Sequence, residues 1–226
     1  MAHGDAPGIV AFPPTIGWSI SLFQRPHQLA RSFAKRGWLA FFGIDDTIHR
    51  VQRFEQVDTN LYLARFPDVV FAEAASPLVF TLPYNCGYLS HFRQPHVIYE
   101  VIDEIEVFSG DQAQWRRNHE RMLREADLVL VTADRLMDVV QPVRSDAILC
   151  PNAGDYEHFA AAAEKGSASP PRDLERILKR NHPIIGYYGA LAEWFNYDLI
   201  RQAAQKRPDW EIVLIGPDYD KSLGAS

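Results

Sequence analysis

Short apolar segments alternate with stretches of helical periodicity along this chain, and that alternation restricts its fold more than any other feature. The helical stretches are 24–36, 111–126 and 133–140. Continuous apolar runs are typical of parallel strands, because crossover helices cover both faces of such a sheet. The first part of the chain is therefore predicted to be α/β, with a doubly wound parallel sheet. The strand candidates are 8–12, 38–44, 60–66, 77–82, 96–102, 127–132 and 146–151.

A change in composition predicts where the first domain ends. Residues 160–181 are small, polar and proline-containing, which indicates a linker. We therefore predict a first domain at 1–160, a linker at 161–182 and the start of a second domain at 183–226. That last part reads as strand, helix and strand, and a unit of roughly 45 residues buries little on its own. The second domain is expected to be incomplete, or completed by contacts that the sequence does not reveal.

Charge and cysteine usage narrow the class of protein. The chain has 226 residues and a formal net charge of −6, which argues against nucleic acid as its main partner. Its 2 cysteines are far apart and lack the spacing of a disulfide framework or a zinc site. The N-terminus has no signal-peptide pattern, and no apolar window approaches about 18 residues, so a cytoplasmic protein is expected.

Several common cofactor motifs are missing from the sequence. No GxGxxG follows the first strand, and neither a P-loop motif nor HExxH occurs. We therefore predict no cofactor and no metal site. The helix at 111–126 carries a stripe of arginines that is more typical of a solvated face than of a lipid-binding one. Peripheral membrane contact stays an open alternative.

The loop after the first strand is a candidate anion site. It ends in a helix that begins near Gln24 and Arg25, with Pro26 suited to the first turn. A cation at a helix N-terminus is unfavourable unless something negative compensates it. One interpretation is that Gly17, Gln24 and Arg25 contact a phosphate or carboxylate of a substrate. The other is that Arg25 pairs with an acidic side chain of the protein.

Carboxylates follow the strand candidate 96–102. Asp103 and Glu104 lie directly beyond its C-terminal end, where ligands bind in open α/β sheets. They are our candidate catalytic residues, because a carboxylate accepts hydrogen bonds from sugar hydroxyls and serves as a base when its pKa is raised. The alternative is a solvated loop that leads to a helix capped by Ser109 or Asp111.

Two later turns supply further candidates for substrate binding. Asn152 follows the strand candidate 146–151, although a capped turn alone explains this stretch. Gly189 and Ala190 follow the strand at 183–189 and have no bulk to keep an anion from the backbone. Glu193 comes shortly after them.

Three stretches together resemble a known family. They are FPPTIGWSISLFQRPHQLARSFAKRG, PNAGDYEHF, and PIIGYYGALAEWFNYDLI followed by RPDWEIVLIGP. They are similar to GT-B glycosyltransferases that resemble family 4, many of which assemble bacterial cell-surface polysaccharides. The resemblance implies a Rossmann-like doubly wound parallel sheet, followed by the first βαβ unit of a second Rossmann-like domain. It also implies a cleft between them, with the acceptor bound mainly by the first domain and the nucleotide sugar by the second.

The same resemblance implies roles for the candidate residues. Arg25 would meet an acceptor or donor phosphate, and Asp103 and Glu104 would lie near the reacting sugar. Gly189 and Ala190 would approach the donor diphosphate, with Glu193 at the edge of the cleft. The activity implied is metal-independent transfer, by analogy retaining, from a nucleoside diphosphate sugar to a glycan or lipid-linked acceptor.

The chain also departs from that family pattern. Its members carry a pair of glutamates late in the second domain, and this chain ends before that point. The segment ALAEWFNYDL has no basic residue to neutralise the leaving diphosphate. We therefore expect a chain truncated within its C-terminal domain and inactive alone. The alternative is a glycan- or nucleotide-binding module that needs a partner, and an unpaired strand edge there favours association into an oligomer.

Overall fold

The chain folds into two compact units, Met1–Gly154 and Asp155–Ser226, called unit 1 and unit 2. The structure is a computed structural model that describes residues 7–20, 23–45, 53–66, 76–164 and 169–220. None of the helices in these ranges is long and apolar enough to cross a membrane.

Unit 1 is built on an eight-stranded sheet with helices between the strands. The strands are β1 (Ile9–Phe12), β2 (Leu39–Ile44), β3 (Phe54–Asp58), β4 (Leu61–Arg65), β5 (Leu78–Thr81), β6 (His96–Val101), β7 (Leu128–Val131) and β8 (Ile148–Leu149). The helices are α1 (Arg25–Lys35), α2 (Gln112–Glu125) and α3 (Asp134–Val140), with short 3-10 helices at Cys86–His91 and Ile105–Val107.

The strand order β3-β4-β2-β1-β5-β6-β7-β8 places β1 at the point where the chain changes direction across the sheet. From β1 the chain moves outward on one side through β2 to β4, and then returns to place β5 against the other edge of β1. The pairs β1–β2 and β1–β5 are both parallel. Loops that leave the carboxyl ends of β1 and β5 therefore meet at a topological switch point, where open α/β sheets bind ligands.

Side chains of β1 alternate between two apolar clusters, as a strand covered on both faces requires. Val10 and Phe12 pack in the cluster that contains Ala30 and Ala34 of α1. Ala11 packs on the opposite side, in the cluster that contains Phe92. The two small alanines of α1 allow that helix to lie close to the sheet, which fixes its N-terminus beside the carboxyl end of β1.

The fold class predicted from the sequence is confirmed. Each of the seven strand candidates of the first domain corresponds to a strand, and each predicted helix lies within one or two residues of the observed one. The sequence analysis missed β3, the one strand of this sheet that pairs antiparallel, against β4. Its residues are mostly exposed, so it lacks the apolar run by which the other strands were found.

Unit 2 contains a parallel pair of strands and three helices. They are α4 (Tyr156–Glu164), α5 (Arg172–Leu178), β9 (Ile184–Tyr188), α6 (Tyr197–Lys206) and β10 (Glu211–Ile215). The division between the units falls between Gly154 and Asp155, just before α4, and the predicted limit at residue 160 lies inside that helix. The segment predicted as a linker, 161–182, contains the whole of α5, and its residues 165–168 lie outside the described ranges.

Candidate functional site

His27 organises the start of α1. It is fully buried, and its Nδ1 accepts a hydrogen bond from the Gln24 backbone N–H at 3.2 Å. The opposite ring nitrogen, Nε2, therefore carries the proton and donates to the Gly17 carbonyl at 3.0 Å. Burial lowers the pKa of His27, which keeps the ring neutral. One imidazole thus ties the loop after β1 to the first turn of the helix.

In this arrangement Gly17 and Gln24, two of the predicted substrate-binding residues, have a structural role. The Gly17 carbonyl and the Gln24 amide are both occupied by His27. The His27 ring stacks on Phe42 of β2, with ring centroids 4.8 Å apart. Gln24 itself is exposed, so its side chain stays accessible beside the loop.

Arg25 has a negative partner within the protein. Its Nε donates to Oε1 of Glu100 at 2.8 Å, and Glu100 is only 4 % exposed. The interpretation in which Arg25 pairs with an acidic side chain is therefore the one that the structure shows. Glu100 lies near the end of β6, inside a segment that reads as an apolar strand in the sequence.

The remaining donors of Arg25 hold the chain where it leaves unit 1. Nη1 lies 3.3 Å from both the Pro151 carbonyl and Oδ1 of Asn152, and Nη2 lies 3.4 Å from Sγ of Cys150. Burial raises the pKa of Glu100, and the guanidinium only partly opposes that shift. Of the predicted residues, the structure brings Arg25 and Asn152 together, and it adds Glu100 as the ion-pair partner of Arg25.

Asn85 joins the two loops that meet at the switch point. It is 3 % exposed, and its Oδ1 accepts from the Leu82 N–H at 2.8 Å and from the Thr81 hydroxyl at 3.0 Å. Its Nδ2 donates to the carbonyls of Pro13 and Pro14 at 3.4 and 3.3 Å. The sequence analysis missed Asn85, although a turn residue directly after a buried strand was a usable signal.

Asp103 and Glu104 follow β6 as predicted, but their surroundings differ. Glu104 forms an ion pair with Arg135 of α3 at 2.8 Å. Asp103 has no ion-pair partner among the described residues, and desolvation raises its pKa although the residue as a whole is exposed. Asp103 therefore has a carboxyl group without an ion-pair partner among the described residues and with a raised pKa, as proton transfer needs.

Asp103 lines a cavity of about 350 Å³ that we call the α2–α3 cavity. Its walls come from the end of β6, the following loop, α2 and α3. The lining residues are Val101, Asp103, Glu104, Ile105, Glu106, Arg116, His119, Glu120, Arg135, Leu136, Val139 and Val140.

The arginine stripe of α2 is largely occupied by contacts within the protein. Arg116 pairs with Glu106 at 2.7 Å, and Arg121 lies 3.8 Å from Glu125 on the same helix. These contacts are those of a solvated helix face.

In unit 2, several backbone groups near the predicted phosphate turn already have hydrogen-bond partners. The Gly189 N–H donates to the Ile215 carbonyl at 3.0 Å, so it is not free for a phosphate. The Ala190 carbonyl accepts from the Tyr187 hydroxyl at 3.0 Å. The Glu193 N–H donates to a carboxylate oxygen of Asp220 at 2.5 Å.

Gly216 allows the loops after β9 and β10 to approach closely. A Cβ atom at this position would lie 1.6 Å from the Gly189 carbonyl oxygen, which excludes any other residue without backbone movement. Beyond it lies the triplet Asp218–Tyr219–Asp220, an Asp-x-Asp spacing that is visible in the sequence and that our sequence analysis passed over. Glu193, Trp194 and the first turn of α6 line a second cavity of about 450 Å³.

The strand order defines a Rossmann-like α/β chain whose loops meet at a switch point, and comparisons with known proteins agree with this fold. No family model matches the chain. It is 24% identical over 213 residues to TuaH of Bacillus subtilis (strain 168), described as "Putative teichuronic acid biosynthesis glycosyltransferase". That alignment covers 87% of this chain and 51% of TuaH, so the chain spans about half the length of this relative.

A solved structure shows the same fold. Sucrose-phosphate synthase from Thermosynechococcus elongatus superimposes with a TM-score of 0.51 at 14% identity, covering 96% of this chain and 69% of that one. At that identity the likeness concerns the fold alone. The predicted resemblance to glycosyltransferases is confirmed by the similarity to TuaH and by the shared fold.

Proposed function

We propose that this chain is part of a GT-B glycosyltransferase that transfers a sugar from a nucleoside diphosphate sugar to a glycan or lipid-linked acceptor. The observation that carries the proposal is the similarity to TuaH, which extends over 87% of the chain. Transfer without a metal, with retention of anomeric configuration, belongs to the same proposal. So does a cytoplasmic location, with contact to the inner membrane face and an oligomeric assembly as further possibilities.

Unit 1 is proposed to bind the acceptor, with Asp103 as the residue that orients or deprotonates its hydroxyl. Asp103 is supported by its place after β6 and by a raised pKa, since a general base works best with a pKa near the ambient pH. Glu104 is proposed to hold the loop in place through Arg135. Arg25 and Asn152 are proposed to shape the edge of the site through their mutual contact.

Unit 2 is proposed to bind the donor diphosphate at the loop that contains Gly189, Ala190 and Glu193. The Glu193 amide already donates to an anionic oxygen, that of Asp220, which supports its use as an anion-binding group. A phosphate oxygen would take the place of that carboxylate. Gly17 and Gln24 are proposed to line the acceptor side.

The triplet Asp218–Tyr219–Asp220 makes metal independence a point to be tested directly. Paired aspartates are oxygen ligands of the kind that Mg²⁺ and Mn²⁺ prefer. Without donor, the Asp220 carboxylate accepts a hydrogen bond from the Glu193 amide, and our proposal assigns no metal to that carboxylate after the phosphate has displaced it. Chelation by EDTA is therefore expected to leave transfer unchanged.

The test compares this 226-residue chain with the complete natural reading frame that encodes it. Both are incubated with a panel of nucleoside diphosphate sugars and cell-wall glycans, and release of nucleoside diphosphate is followed. We expect release from the complete frame, little or none from the isolated chain, and a loss of about 10²–10⁴-fold for Asp103→Asn. Glu104→Gln is the matched control and should retain more activity.

The alternative is a binding module that needs a partner to complete its cleft. It is favoured by the segment ALAEWFNYDL, which has no basic residue to neutralise a leaving diphosphate. Calorimetric binding of a glycan or nucleoside diphosphate by the complete frame, without any release, would favour the module. A complete frame that shows no release of nucleoside diphosphate and binds no donor would overturn the glycosyltransferase proposal.

A further inference from the structure

The α2–α3 cavity has an apolar lining on which a small molecule can rest. Its apolar lining residues include Val101, Leu136, Val139 and Val140, and the volume of about 350 Å³ lies within the range of small-molecule sites. The cavity lies wholly within unit 1.

The charges at the rim of the cavity largely neutralise one another. Glu104 pairs with Arg135 of α3, and Glu106 pairs with Arg116 of α2, at 2.8 and 2.7 Å. Both pairs join the loop after β6 to a helix that flanks it, so they hold the rim in shape. Each arginine of the lining, Arg116 and Arg135, therefore already has a carboxylate partner, which makes the cavity a poor site for a phosphate.

The polar groups left for a ligand include acceptors and a ring nitrogen. Asp103 and Glu120 line the cavity and have no ion-pair partner among the described residues. His119 also lines it, and its Nδ1 is joined to the Tyr99 hydroxyl at 2.7 Å. Because Nδ1 is occupied, Nε2 is the ring nitrogen that can meet a ligand. Burial lowers the pKa of His119, so the ring is neutral at pH 7.

We propose that the α2–α3 cavity binds a neutral pyranoside ring, with Asp103 and His119 hydrogen-bonded to its hydroxyl groups. Carboxylates and imidazole match the hydroxyls of a sugar, and the valine and leucine side chains match its C–H faces. Two unpaired carboxylates disfavour an anionic ligand. Only the identification of this ring with the acceptor rests on the proposed function, because the argument for the cavity comes from its own lining.

The test uses two valines of similar exposure. Val139 lines the cavity and is 67 % exposed, whereas Val143 lies outside the lining and is 64 % exposed. Tryptophan at either position leaves the buried core untouched, so both variants should fold. Binding of methyl gluco-, galacto- and mannopyranosides to the whole chain is measured by saturation-transfer NMR and calorimetry, with inorganic phosphate and 1-octanol as counter-probes.

We expect at least one pyranoside to bind, Val139→Trp to weaken it tenfold or more, and Val143→Trp to leave it unchanged. His119→Gln is expected to weaken binding less, since glutamine restores part of the hydrogen bonding. Binding of octanol or phosphate instead of any pyranoside would overturn the inference, and so would equal effects of the two tryptophan variants. Pyranoside binding by a complete frame that shows no sugar transfer would refute the proposed function alone. Transfer by the complete frame that Val139→Trp leaves unaffected would refute only the identification of this ring with the acceptor.

Discussion

Removing the guanidinium of Arg25 should destabilise unit 1 in a pH-dependent way. Arg25→Met keeps an unbranched apolar stem and deletes the ion pair with Glu100, in which Nε and Oε1 are 2.8 Å apart. Glu100 is 4 % exposed and has no other ion-pair partner among the described residues, so the variant leaves a buried carboxylate uncompensated. Deleting one partner of a buried pair costs about 3–5 kcal/mol of unfolding free energy.

The sign of the pH dependence follows from the pKa of Glu100. Burial raises that pKa above its ordinary value of 4.5, and without Arg25 it rises further. A carboxyl group with a raised pKa in the folded state contributes its full stability only below its pKa in the unfolded state. That stability is lost as the pH rises through the folded pKa. The variant should therefore approach the wild type near pH 4.5 and differ most at pH 7 and above.

Urea denaturation followed by circular dichroism at pH 5 and pH 7.5 measures both effects. Lys35→Met, on the exposed side of the same helix, is the control and should change the unfolding free energy by no more than about 0.5 kcal/mol. Adding Glu100→Gln to Arg25→Met should recover part of the loss, because it removes the stranded charge. A loss below about 1 kcal/mol that does not vary with pH would refute this account of the ion pair.

Three further changes test other contacts. His27→Gln should lower the unfolding free energy by about 1–3 kcal/mol. It should also flatten the acid side of the stability–pH profile, because a buried imidazole with a lowered pKa makes the protein less stable as the pH falls below 6.5. An unchanged profile would contradict the burial of His27 as a neutral ring. Asn85→Ala should cost about 2–3 kcal/mol by leaving buried loop groups unpaired, measured by urea denaturation, and a neutral result would remove Asn85 as the link between the loops. Gly216→Ala should speed amide hydrogen exchange at Gly189, while Gly186→Ala, where nothing lies within 4 Å, should not; equal exchange in both would show that the close approach is absent.

The parts of the fold that were predictable share one physical property. Strands such as β2 and β6 are covered by helices and neighbouring strands, so they consist largely of consecutive apolar residues that can be recognised in the sequence. β3 lies at the edge of the sheet with exposed side chains, and its sequence FEQVD carries no such pattern. Composition changes near residue 160, but composition does not reveal a short helix such as α5.

The candidate site was harder to predict because its contacts are long-range. The unusual cation at the start of α1 was a correct signal that a negative partner exists. That partner, Glu100, lies 75 residues further along the chain, inside a segment that reads as apolar. Only the parallel alignment of β1, β5 and β6 brings the two together. The same holds for His119, which α2 places in the wall of the cavity.

The two ends of the large sheet differ from its centre in a way that bears on self-association. On one side, β3 ends the sheet with an irregular register between Gln56 and Asp58 and with the charged residue Glu55. On the other, β8 is only 2 residues long. Strands that are brief, kinked or charged offer little backbone for a neighbouring molecule to extend. Both edges of this sheet therefore disfavour growth of unit 1 into fibres by strand addition.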